Sequence, residues 1–156
     1  MLLRVPADLP ATALRVGDLR GFLGVMPDDL LVAADCPGQG GPVRVPLGWP
    51  VKASVRDESG RRVPVVALPQ VGIDDGQAMT VSRLYYRLAD LPADALVVTV
   101  WEVDDGPRQT TIGTPQFGDL INEASGLTIR AVVLSAVLSG ATGTAYDEIT
   151  YNLGWE

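Results

Sequence analysis

The amino-acid sequence predicts an all-β fold: an immunoglobulin-like sandwich or small barrel, with one short helix and an extended amino-terminal arm. Three observations carry this expectation. Seventeen glycines and twelve prolines are spread through 156 residues and break the chain into short segments. Several segments alternate apolar and polar residues, the period of a half-buried strand. Hydrophobic residues make up 47% of the chain, enough for one core and too many for a disordered polymer.

Residues 1–28 carry the weakest pattern. Leu2 to Val5 fits a strand, whereas Leu14, Val16, Leu19, Phe22 and Leu23 match neither period cleanly. Gly17 and Gly21 weaken a helix there. The segment reads as an arm with one short strand or turn. Residues 29–156 read as a single β-sandwich domain without an internal linker.

Leu30 to Ala34 predicts a short apolar strand, and Cys36 to Pro42 a flexible turn. Val43 and Val45 flank Arg44 in the pattern of a half-buried strand. Val51, Ala53 and Val55 alternate with Lys52, Ser54 and Arg56. After the turn residues Asp57 to Gly60, the segment from Val63 to Leu68 returns as the second half of a hairpin. Val71 to Gln77 reads as a polar loop. Met79 to Leu88 reads as a long strand, with Val81, Arg83 and Tyr85 on one face and Ser82, Leu84 and Tyr86 on the other. Ala95 to Val103 predicts the strongest strand, with Trp101 in the core. The Leu91-Pro92 segment before it resembles the corner between the sheets of an immunoglobulin-like sandwich.

The one helix is expected after Thr114, as cap, and Pro115, in the first turn. Leu120, Ile121 and Ala124 would line one side and Gly126 would end it. Leu127 to Leu138 is nearly all apolar and reads as a strand buried on both faces, in its own core or against a partner, with a helix as the alternative. Ala145 to Leu153 closes the chain as a last strand.

The composition excludes several functions. Net charge is −7, and no basic run exceeds Arg61-Arg62, so direct nucleic-acid binding is not expected. An acidic surface also disfavours anionic membranes, and no apolar run is long enough for a spanning helix. Pro6, Asp8 and Pro10 interrupt the first residues where a secretory signal would need an apolar core. One cysteine, Cys36, excludes an internal disulfide framework, and the chain has no histidine. The commonest general base and every histidine-based metal site are therefore missing. Beside Asp35, the Cys36 thiolate is disfavoured. Gly38 to Gly41 lacks the spacing of a phosphate-binding loop. We expect no enzyme and no organic cofactor. The acidic pairs Asp28-Asp29, Asp74-Asp75 and Asp104-Asp105 suit turns, and such oxygen donors can also hold calcium.

Two resemblances bear on function. Val43 to Trp49, the acidic turn Gly72 to Asp75, Leu88 to Asp94, Val97 to Trp101 and Gln116 to Asp119 resemble segments of the TerD-type calcium-binding stress proteins, which are β-sandwiches. Pro50 departs from that family's pattern, where an aspartate follows Gly-Trp. The resemblance therefore implies only Asp74 and Asp75 as calcium ligands. The whole chain resembles in type the small β-sandwich proteins of tailed-bacteriophage particles, with an arm, a compact sandwich, an acidic surface and no catalytic set.

The expected function is thus a non-catalytic structural component of a larger assembly, a bacteriophage virion protein for capsid decoration, head–tail joining or the tail. It would be located in the virion and assembled in the bacterial cytoplasm. Its partners would be copies of itself and other particle proteins, with no direct nucleic acid and no membrane. Leu2, Leu3, Phe22, Val132, Leu134 and Trp155 are the expected interface residues. Deleting residues 1–27 is expected to abolish assembly and leave the sandwich folded. The alternative is a TerD-like calcium-responsive binding protein in the bacterial cytoplasm.

Overall fold

The computed structural model describes residues 14–38, 41–56, 61–72, 76, 78–103, 106–122, 125–134, 136–137 and 150–151. The chain order is α1 (Val16–Leu23), β1 (Leu31–Gly38), β2 (Gly41–Pro46), β3 (Val51–Arg56), β4 (Arg62–Pro69), α2 (Val81–Leu88), β5 (Leu96–Val103), β6 (Gly106–Ile112), β7 (Gln116–Ile121), β8 (Thr128–Leu134), β9 (Ala136–Val137) and β10 (Thr150–Tyr151). The fold is mostly β, as expected, in two sheets. One has the order β2-β1-β8-β7 and the other β10-β3-β4-β5-β6-β9. The described residues hold two short helices rather than one, and neither lies where the helix was expected.

The hairpin predicted at Val51 to Leu68 is present as β3 and β4, with Val51 opposite Ala67 and Val55 opposite Val63. The strand at Leu30 to Ala34 extends further than expected. β1 and β2 pair as a hairpin as far as Gly38 opposite Gly41, so most of the presumed flexible turn is ladder. The ladder bonds satisfy backbone groups that a loop would leave to water. β8 occupies the first part of the apolar run 127–138 and lies between β1 and β7, which explains its unbroken hydrophobic pattern.

β4 and β5 are parallel neighbours, joined by a crossover that contains α2. Both faces of these strands are buried. Val66, Leu68 and Val97 point into the main core, while Val65, Ala67, Leu96, Val98 and Val100 form a second cluster with Ala53. A strand buried on both faces cannot alternate, which is why these segments read as continuous apolar runs. Each fully buried valine or leucine contributes about 1.5–3 kcal/mol of transfer free energy.

The main core joins both sheets and both helices. Val32 and Ala34 of β1, Val132 and Leu134 of β8, Val66 and Leu68 of β4, and Ile112 at the end of β6 meet Leu19, Leu23, Leu84 and Leu88 from the helices.

Met79 to Leu88 is therefore not a strand. Its alternation also satisfies a helical period, because Val81, Leu84 and Leu88 recur at i, i+3 and i+7, and all three are buried. The Thr80 hydroxyl accepts the Arg83 amide at 3.4 Å and caps the first turn. Residues 114–126 make the opposite correction. Gln116 to Ile121 pair antiparallel with β8, from Gln116 opposite Val133 to Ile121 opposite Thr128. Gly126 adopts φ 72°, the left-handed conformation expected of it, but in the β7–β8 turn and not at a helix end. There the Gly126 amide donates to the Asn122 carbonyl at 2.7 Å.

From Leu14 onward, the segment read as an arm is built into the core. Val16, Leu19 and Leu23 are buried, because burial of an amphipathic face outweighs the glycine propensity penalty. The Asp18 carboxylate accepts the Arg15 amide at 3.1 Å at the helix start. The Leu14 amide donates to Ile112 at 2.9 Å, the Val97 amide to Leu14 at 3.2 Å, and the Val16 amide to Ala95 at 2.8 Å. Removing residues 1–27 would strip four buried side chains from the core. Such a truncation is expected to destabilise the fold, so it would not isolate a role in assembly.

Candidate interaction surfaces

The expected interface residues are scattered. Val132 and Leu134 are fully buried in the chain's own core, so neither presents surface to a neighbour. Phe22 is half-buried and packs against that core. Leu2, Leu3 and Trp155 lie outside the described residues, as do Asp74 and Asp75. Trp101 is on β5, and its side chain lies outside the described set. Among the described residues no group of three histidine, cysteine or acidic side chains is placed to hold a metal, and no helix is long and apolar enough to cross a membrane.

The chemistry on view is that of surfaces that meet other surfaces. The first is the edge of the four-stranded sheet. β7 is an end strand, and Phe117, Ile121 and the following Leu127 are 50%, 66% and 64% exposed. The Arg130 guanidinium lies 5.2 Å from the Phe117 ring centroid. The sheet curls so that β2, at its other end, approaches β7. Arg44 of β2 donates to the Asp35 carboxylate through Nε at 2.8 Å and Nη2 at 3.2 Å, and through Nη1 to the Asp119 carbonyl at 3.2 Å. One carbonyl of the β7 edge is thereby covered by a side chain, as exposed sheet edges often are. The hydrogen bond to Asp35 raises the Arg44 pKa above its ordinary value, burial opposes the rise, and the fields of Asp35 and Asp119 add to it. Gly118 makes the approach feasible, since a Cβ there would lie 2.7 Å from Arg44 Nη1 and 2.8 Å from Val133 Cγ2.

The second surface centres on α2, whose sequence holds Arg83 and Arg87 and no acid. The Arg87 guanidinium lies 3.8 Å from the exposed Trp49 ring, and Tyr86 is exposed beside it. On the other side of α2, Arg20 of α1 lies 4.2 Å from the Tyr85 ring centroid and donates from Nε to the Tyr85 carbonyl at 3.2 Å. Between the helices is an open groove of about 290 Å³, lined by Gly17, Arg20, Gly21, Tyr85, Leu88 and Leu91 among others.

No family model, curated protein or solved structure matches the chain. The functional reading therefore rests on these surfaces. Arginine stacked on tryptophan and tyrosine is the composition enriched at the energetic centres of protein interfaces. Val132 and Leu134, expected at the interface from their place in an apolar run, are core. The usable signal lay in aromatic and arginine residues spaced along one segment, Arg83, Tyr85, Tyr86 and Arg87, once that segment is read as a helix.

Proposed function

We propose that the protein is a non-catalytic structural component of a larger assembly, and that the assembly is a tailed-bacteriophage particle, in which it serves as a decoration, head–tail joining or tail protein. The observation that carries the assembly reading is the apolar edge of β7. Phe117 and Ile121 stand exposed on the end strand of a sheet, and Leu127 in the turn that follows it. Large apolar side chains exposed together on an end strand and the turn after it favour burial against another chain. The acidic net charge of −7 and the absence of any histidine fit a binding role better than catalysis. The virion assignment adds the type resemblance to small sandwich proteins of phage particles.

Light scattering on the full chain across a wide concentration range tests this reading. A discrete oligomer or concentration-driven growth is expected. Ile121→Lys places a charge on the exposed edge and is expected to reduce the largest species without lowering the melting temperature. A strict monomer at every concentration, or growth indifferent to Ile121→Lys, counts against a contact through the apolar side chains of β7.

A further inference from the structure

We propose that the α1 face is a twofold self-association site, in which Val25 of one copy enters the α1–α2 groove of a second copy and Asp28 and Asp29 meet the second copy's Arg20. The inference deepens the assembly reading and rests on it, by naming one contact and its occupant.

Val25 is the first observation. It is 85% exposed, the most exposed large apolar side chain among the described residues. It does not sit on a loose loop. The Val25 amide donates to Phe22 at 3.3 Å, Met26 to Leu23 at 3.2 Å, Ser82 to Asp28 at 3.1 Å and Val81 to Leu30 at 2.8 Å. The turn that presents Val25 is thus tied to both helices. A rigidly held apolar knob loses little further entropy on docking.

The groove supplies the hole. Gly17 and Gly21 stand four residues apart on α1, Val25 follows at the same spacing, and both glycines line the groove. Gly17 has an internal reason to lack a side chain, since its Cβ would lie 3.2 Å from the Ala93 carbonyl oxygen. Gly21 has none: a Cβ there meets nothing within 4 Å. A helix-interior glycine costs about 1 kcal/mol relative to alanine. That cost is unexplained within one copy. It is explained by an atom approaching from outside.

Charge completes the match. The Arg20 guanidinium is fixed by the Tyr85 ring and carbonyl, its two terminal nitrogens bond no described residue, and no described acid pairs with it. Asp28 and Asp29 are exposed and pair with no described base. The helix α1 and the turn after it therefore carry a knob and a hole, a cation without a described acid partner and two exposed carboxylates without a described base. A twofold interface requires this self-complementarity, because each contact is made twice with the roles exchanged. A fixed guanidinium suits a carboxylate through paired hydrogen bonds.

Sedimentation velocity on the full chain tests the proposal with three variants. Val25→Lys is expected to raise the dimer dissociation constant by about thirtyfold or more, the effect of losing an interface centre. Gly21→Ala is expected to raise the melting temperature, through helix propensity, while weakening the dimer. Lost folding therefore cannot account for its lost association. Arg20→Asp is expected to weaken the dimer, and Arg20→Asp combined with Asp28→Arg and Asp29→Arg to restore it. A wild-type protein that is monomeric throughout overturns both this inference and self-assembly. An oligomer that ignores Val25→Lys and Gly21→Ala overturns this inference alone and leaves assembly through another face. A dimer lost with Val25→Lys but indifferent to Ile121→Lys upholds it and removes the β7 contact.

Discussion

Replacing Gly118 by alanine tests the closure of the four-stranded sheet directly. The added methyl would meet Arg44 Nη1 at 2.7 Å and Val133 Cγ2 at 2.8 Å, so both contacts must be relieved. Val133 is 3% exposed and enclosed by its own sheet, and displacing such a side chain costs about 1–3 kcal/mol. Arg44 is the far end of a flexible chain, but moving it breaks its contacts to Asp35 and Asp119. With both partners of the ion pair at 36% side-chain exposure, that loss is limited to about 1 kcal/mol. Alanine regains about 0.5–1 kcal/mol over glycine in a strand. The net expectation is a loss of about 1–2 kcal/mol, equivalent to about 2–8 °C in melting temperature for a chain of this size. Urea unfolding of Gly118→Ala, Arg44→Ala and the double variant measures it. In the Arg44→Ala background one of the two clashes is gone, so the cost of Gly118→Ala should fall, with a coupling of about 0.5 kcal/mol or more. A Gly118→Ala protein as stable as the parent in both backgrounds would refute the close approach of β2 to β7.

Leu19→Ala should cost about 2–5 kcal/mol by differential scanning calorimetry, since Leu19 is fully buried between the helices and the sheets; a cost under about 1 kcal/mol would mean that α1 is peripheral. Gly126→Ala should lose about 1 kcal/mol, because it forces a side chain into the left-handed region, and the loss is checked in the same unfolding assay. Thr80→Ala should lose about 0.5–1 kcal/mol through the α2 cap, with the change confined to a faster amide exchange at Arg83 and its neighbours. The hydrogen bond to Asp35 raises the Arg44 pKa above its ordinary, strongly basic value, so its charge is present throughout the neutral and mildly alkaline range. The cost of Arg44→Ala should therefore be the same at neutral and mildly alkaline pH.

The parts of the fold legible in the sequence were those where one signal acted alone. The Val51 to Leu68 hairpin has alternation, a turn and the return strand, and nothing competes with them. The apolar runs at Leu96 to Val100 and Ala131 to Leu134 are buried on both faces and could be placed as strands by their β-branched content. The misread segments carried two periods at once. Val81, Leu84 and Leu88 serve a helix, whereas Val81, Arg83 and Tyr85 mimic a strand, and the main core decided between them. At Gln116 to Ile121, proline and threonine marked a boundary correctly, but the open edge of β8 recruited the segment as a strand. Glycine content hid α1, because propensity speaks for the isolated helix while Val16, Leu19 and Leu23 answer to tertiary burial. The surfaces were less legible than the fold. Apolarity alone cannot separate Val132, which is core, from Val25, which is almost fully exposed, and that distinction exists only in three dimensions.

The parallel pairing of β1 with β8 sets a timetable for biosynthesis. Leu31 lies opposite Ala131 and Ala34 opposite Leu134, so one ladder joins segments about a hundred residues apart. At translation rates of about 5–20 residues per second, β1 and β2 leave the ribosome roughly 5–20 s before β8 exists. The centre of the six-stranded sheet, β3 to β6, precedes β8 in the chain and can form during that interval, before its end strands β9 and β10 are made. The smaller sheet cannot, since its central strand arrives late and brings β7 with it. β7 thus gains its ladder partner only when nearly all of the core is in place, so the surface that carries Phe117 and Ile121 takes its final form last.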